Sequence, residues 1–191
     1  MARLKEFDPD VVLQRALDLF WRRGYEATSM ADLVEHLGIG RASIYATYGS
    51  KHELYLKALE RYGRTTGLSS AEVLARPGPV LPAVRELLLS YADRPADGPK
   101  GCMITNAAVE LMASDDEVCK RVETSWDKLE HALTGAMMRA RAQGEVGADR
   151  DPEVLARFLL VVMQGLRVLG RGEPDPDRVR DAVDQALGTL Q

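Results

Sequence analysis

The sequence predicts an all-α chain: an N-terminal three-helix unit holding a helix-turn-helix, then a C-terminal bundle of about six helices. Three observations carry this. Apolar residues recur at steps of three and four, and no stretch alternates as a strand would. Helix starts are marked by Asp-Pro pairs at 8–9, 151–152 and 175–176, and stops by Gly and Pro. Aromatics make up only 6% of the chain, while Leu, Ala, Val, Arg and Glu dominate, a composition that favours helices.

The first helix starts at Asp8. An Asp cap, Pro9 at the first helical position and Asp10 in the first turn all suit a helix N-terminus. Val12, Leu13, Ala16, Leu17, Phe20 and Trp21 form its buried stripe, and Gly24 ends it. Thr28 is placed to cap the second helix, whose apolar face is Met30, Leu33, Val34 and Leu37. Gly38-Ile39-Gly40 breaks it, with Gly38 suited to a left-handed C-terminal cap and Ile39 as a plug under the turn. A third helix of about two turns runs from Arg41 to Tyr48, with Ile44 inward and Arg41, Ser43, Tyr45, Thr47 and Tyr48 spread over its other faces. Helix, glycine turn and second helix make the unit whose second member lies in a DNA major groove. Ser50 caps a fourth helix, with Glu53 completing a capping box. Lys51 at its start opposes the helix dipole, so a nearby phosphate would give it a reason to be there.

The phrase Ser43-Ile44-Tyr45, two residues, Tyr48, then Ser50-Lys51-His52-Glu53-Leu54, together with Thr28, Ala31 and Leu37-Gly38-Ile39, resembles the TetR (tetracycline-repressor-like) family of bacterial transcription regulators. The strong resemblance covers about the first quarter of the chain. Gly40, Ala42 and Tyr48 depart from the family's usual residues, and Gly40 gives the third helix a weaker cap. The resemblance implies a DNA-binding regulator, a repressor released from a palindromic double-stranded operator by a small-molecule effector. It places a DNA-binding domain at residues 4–64 and an effector-binding, dimerising domain at 65–191. Arg41, Ala42, Ser43, Thr47 and Tyr48 are expected to face the groove, with Arg41 suited to a bidentate contact with guanine. Thr28, Tyr45 and Lys51 are expected to hold phosphates, the role the family gives a Lys at this place.

Charge adds nothing to this reading. The net charge is −4, and residues 1–52 balance seven Lys and Arg against seven Asp and Glu. Any positive field is local, at Arg3, Lys5, Arg41 and Lys51. Met1 to Phe7 reads either as a frayed terminus or as a basic arm toward the minor groove. No run of about 18 apolar residues offers a membrane span. A charged N-terminus and two Cys suggest a reducing cytoplasm.

Beyond Pro77-Gly78-Pro79 come helices at Val80–Asp93, Cys102–Ala113, Ser114 to Gly144, Asp151 to Gly170 and Asp175 to Leu190, with a loop from Arg94 to Gly101. Phe158 to Met163 is apolar at every position, which implies burial on all sides. Leu159, Val162, Met163 and Leu166, with Val179, Val183, Ala186 and Leu187 of the last helix, are expected either to pack at home or to meet a second copy. A two-fold dimer is the commonest oligomer, and the resemblance implies a four-helix interface from the last two helices.

Tyr91, Met103, Met112, Trp126, Met137, Met138, Phe158 and Gln164 read as ordinary core or, together, as the lining of a ligand cavity between helices. Cys102 sits at a predicted helix start, whose field favours thiolate. It reads as a small buried residue or as a redox or electrophile sensor. Cys119 is poorly placed to pair with it. Three scattered His and two Cys give no metal-ligand spacing, and no cofactor is expected. An all-helical enzyme is the rival class, but no nucleophile with a base, no phosphate loop and no metal cluster supports it.

Overall fold

The computed structural model describes residues 7–92, 99 and 101–190. The N-terminal basic arm with Arg3 and Lys5, and most of the expected loop from Arg94, lie outside those residues. Among the described residues there are nine helices: α1 Pro9–Arg23, α2 Met30–Leu37, α3 Arg41–Tyr48, α4 Lys51–Ala75, α5 Val80–Ala92, α6 Met103–Leu111, α7 Asp116–Ala142, α8 Pro152–Leu169 and α9 Pro176–Leu190.

The local signals act where expected. The Asp8 carboxylate accepts from the Asp10 amide at 2.8 Å. Gly38 takes the left-handed conformation, φ 69°, and donates to the Val34 carbonyl, which closes α2. Ser50 and Glu53 form a reciprocal capping box on α4. One cap moves. Ser29, not Thr28, caps α2, in a box with Asp32. Thr28 is wholly buried, and its hydroxyl donates to the Gly24 carbonyl at 2.7 Å. Either residue type can cap, and chain direction after Gly24 decides between neighbours.

Two apolar cores divide the chain differently from the helix-turn-helix boundary. The first joins α1, α2, α3 and the first turns of α4 to α6 and the start of α7: Phe20, Leu33, Ile44 and Tyr55 share it with Met103, Ala107 and Val118. The second joins the end of α4 to α5, the rest of α7, α8 and α9. The boundary expected near residue 64 falls inside α4, which runs unbroken for 25 residues, about 37 Å of shaft. Gly63 and Gly67 do not interrupt it.

Polar ties fasten the head to α6 and its flanks. The Glu110 carboxylate accepts from the amides of Tyr25 and Glu26 at 3.2 and 2.9 Å. Trp21 Nε1 donates to the Gly101 carbonyl at 3.2 Å. His52 Nε2 lies 2.6 Å from the Asp115 carboxylate. Farther down, the Glu145 carboxylate takes the free amides of Val80 and Leu81 and so caps α5 from across the bundle.

The apolar run of α8 is not buried on all sides. Leu159, Met163 and Leu166 point into the second core, but Val154, Val161 and Val168 are exposed and Phe158 sits at the surface. One chain has helices enough to cover only one side of α8. Along the uncovered side, residues 154, 158, 161, 165 and 168 follow steps of four and three, the spacing of a helix-pairing seam. On α9 the opposite correction holds. Val179, Val183 and Ala186 are sealed in the chain's own core, where α9 packs on α5 and α8. These three, like Leu159, Met163 and Leu166, are buried within the single chain. Val162 and Leu187 stay half-exposed.

Candidate functional site

The first candidate surface is α3 with the turns around it. Ile44 is fully buried, and this anchors the short helix on the head. Its opposite side carries Arg41, Ala42, Tyr45 and Ala46, all exposed, with Ser43 and Thr47 half-exposed beside them. Ala46 was not among the expected contacts, although its place one turn after Ala42 was a usable signal. The Arg41 guanidinium stands 5.8 Å from the centre of the Tyr45 ring. Stacking of this kind steadies the side chain without using its hydrogen-bond donors. Gly40 caps α3 without any side-chain bond, so the first amides of α3 lack a side-chain partner there.

Two expected contact residues are not on this surface. Tyr48 is buried, and its phenol donates to the Pro9 carbonyl at 2.6 Å, tying α3 to α1. Burial raises its pKa, with Asp10 and Asp8 adding to the rise. Thr28 is buried, with its hydroxyl given to the Gly24 carbonyl. Aromatic and hydroxyl side chains suit both core and contact, and only packing decides. Lys51 opens α4, half-buried, with its ammonium 4.1 Å from the centre of the Tyr25 ring. A bond from Ser29 holds the Asp32 carboxyl down at about 2, with Arg23 at 2.6 Å adding to this. The α2 cap therefore stays ionised near neutral pH.

The second candidate is a cavity of about 820 Å³ between α4, α5, α8 and the approach to α6. That volume suits a small organic molecule. Tyr62, Thr66, Ser70 and Val73 line it from α4, Leu87 and Tyr91 from α5, Arg167 from α8, and Trp21 from the head. Cys102 lines it too, buried and unpaired with Cys119. Of the expected ligand residues only Tyr91 is here. Met103 and Met137 are closed in core, and Met112 is half-buried against the first core. Trp126 packs against the first core with its Nε1 unpartnered. Gln164 accepts from the Thr105 hydroxyl, while Phe158 and Met138 face outward. The cavity residues missed include Trp21, Tyr62, Ser70 and Arg167. An arginine one turn beyond the apolar run Phe158 to Met163, on the same helix, was the available signal.

Among the described residues no group of three His, Cys, Asp or Glu is placed to hold a metal ion. No described helix is long and apolar enough to cross a membrane.

Comparison with known proteins fits this arrangement. Residues 12–58 match the family model "Bacterial regulatory proteins, tetR family", and residues 77–186 match "Tetracyclin repressor-like, C-terminal domain". The chain is 38% identical to the helix-turn-helix-type transcriptional regulator YezE of Bacillus subtilis, covering all of both chains. It is 31% identical to the transcriptional repressor ComR of Escherichia coli K12, over 88% of this chain and 82% of that one. A solved structure of a cysteine mutant of the TetR-family regulator CifR, complexed with 26-bp operator DNA, superposes with a TM-score of 0.83. It has 32% identity and covers 99% of this chain and all of the other. The head that carries Arg41 and Lys51, and the bundle that carries the cavity, are thus both parts of one known design, and the chain belongs to the TetR family of DNA-binding transcriptional regulators.

Proposed function

We propose that the chain is a repressor that binds a near-palindromic operator as a homodimer and leaves it when a small molecule fills the cavity. The observation that carries the reading is the juxtaposition of the two candidate sites. Trp21 belongs to the helix that packs the recognition unit, yet it lines the cavity and bonds to Gly101 at the cavity's edge. A ligand there touches head and bundle at once. Binding releases DNA only if the ligand prefers the head orientation that DNA does not, and operator must then weaken ligand binding by the same factor.

One head offers a single short recognition helix, a small reader for a specific site. Two heads on a dimer reach successive major grooves about 34–36 Å apart. The exposed seam of α8 is the surface we assign to that dimer, with Val162 and Leu187 at its edge. Val154, Phe158, Val161 and Val168 form a contiguous apolar stripe of the kind that marks an interface. At exposed Gly165 a Cβ would meet nothing, so a second helix can come close there.

A gel shift on DNA flanking the chain's own gene tests the function. A shifted band that competitor DNA of unrelated sequence does not remove is the expected result. The absence of any specific band would refute the reading. Arg41 is assigned to base edges, Tyr45 and Lys51 to phosphates. Lys51→Ala is then expected to weaken all DNA sequences alike and to lower the salt slope of binding by about one. An altered base preference with an unchanged slope would reverse the assignment.

The cavity also holds a second trigger, since Cys102 faces into it. Oxidant-driven release from the operator, abolished by Cys102→Ser and kept in Cys119→Ser, would place the switch on the thiol. Equal release in all three proteins would remove Cys102 from it.

A further inference from the structure

Arg167 is the least expected side chain of the second core. It is only 6% exposed, yet it carries a permanent charge. A buried guanidinium is costly unless something pairs with it. Among the described residues no Asp or Glu lies within ion-pair distance of it. Its close neighbours are the Tyr91 ring, 3.9 Å from the guanidinium carbon, with Cys102 and Tyr62. Tyr91 engages the flat face of the group and accepts one hydrogen bond from it, which leaves most of its five N–H donors without a carboxylate to meet. The Tyr91 phenol is itself engaged with Ser70 at 2.8 Å, which fixes the ring. Arg167 lines the cavity.

We propose that the cavity takes an organic monocarboxylate, whose carboxylate forms a two-point pair with the guanidinium of Arg167. This rests on the cavity being the effector site. Among the described lining residues Arg167 is the cation with no carboxylate beside it, which calls for a single negative charge. Arg76, the other cation in the lining, is already paired with Glu86 at 2.7 Å on the exposed rim. The planar fork of Arg matches a carboxylate with two parallel bonds. The rest of the wall mixes Trp21, Tyr62, Val73 and Leu87 with the hydroxyls of Thr66, Ser69, Ser70 and Ser90, and suits an uncharged body rather than a second anion.

The test uses the full-length protein in a Trp126→Phe background, so that Trp21 in the cavity wall reports binding. Benzoate and hexanoate are titrated beside benzamide and hexanamide, which keep the shape and lose the charge. At least one acid is expected to alter Trp21 emission saturably, and its amide to bind at least about tenfold more weakly. Arg167→Gln is expected to weaken the acid by roughly thirtyfold and to leave the amide unchanged. Arg167→Lys, which keeps the charge without the fork, is expected to fall between. Should Arg167→Gln fail to fold, the acid-against-amide comparison in the parent protein still decides. Equal binding of acid and amide, or no saturable binding by either acid, overturns the proposal. Anisotropy of labelled operator-region DNA, read in the same titration, separates this from the parent reading. An acid that binds through Arg167 without releasing DNA keeps the anion site and removes its effector role. An amide that binds and releases DNA as well as its acid does the reverse.

Discussion

Val161→Glu is expected to convert the proposed dimer to monomers and to abolish tight operator binding. Val161 is 71% exposed in the single chain, so the substitution costs the folded monomer almost nothing. In the dimer it would sit at the middle of the α8 seam, beside Phe158 and Gly165 and opposite its own copy. Two unpaired carboxylates would lose water there and repel each other. A penalty of about 3 kcal/mol raises the dissociation constant roughly a hundredfold. Sedimentation velocity across a concentration series measures this, and circular dichroism checks that the helices remain. A Val161→Glu protein that is still dimeric at the parent's concentrations would show that the interface lies elsewhere.

Val183→Glu is expected to do something different, although both residues are valines on the last two helices. Val183 is completely buried where α9 packs on α5 and α8. A glutamate there must either ionise without a partner or stay protonated with its hydrogen bonds unmet, and it leaves the second core overfilled. The loss is on the order of 4 kcal/mol, a large share of a typical domain's stability. The expected result is a steep fall in melting temperature with broadened unfolding, not a well-folded monomer. A folded, monomeric Val183→Glu chain with the parent's melting temperature would show that α9 faces a partner after all. The two variants together therefore separate the outside of the bundle from its inside.

Much of the head was legible because its signals are local. A cap, a left-handed glycine and an apolar step of three or four act within one or two turns, so Asp8, Gly38 and Ile44 do what their sequence positions suggest. The contact surface was half legible. Arg41, Ala42 and Tyr45 are exposed as expected, since no other face of so short a helix can hold them. Tyr48 and Thr28 went inward because a phenol and a hydroxyl can satisfy themselves on the carbonyls of Pro9 and Gly24. Nothing in their own neighbourhood announces that those carbonyls are near.

The cavity was nearly illegible. Its lining comes from α1, α4, α5, α8 and the approach to α6, residues separated by as much as 146 positions from Trp21 to Arg167. Methionines and Trp126 looked like lining because flexible and aromatic side chains fill cores and pockets alike. By itself the sequence determined the helices, their ends and the recognition unit, since those follow from period and capping along the chain. Only the tertiary structure decided which side of α8 is left uncovered and which charge is buried, among the described residues, without a carboxylate beside it. Both depend on which distant helices happen to cover a given face, and periodicity marks that a face is apolar without saying what covers it.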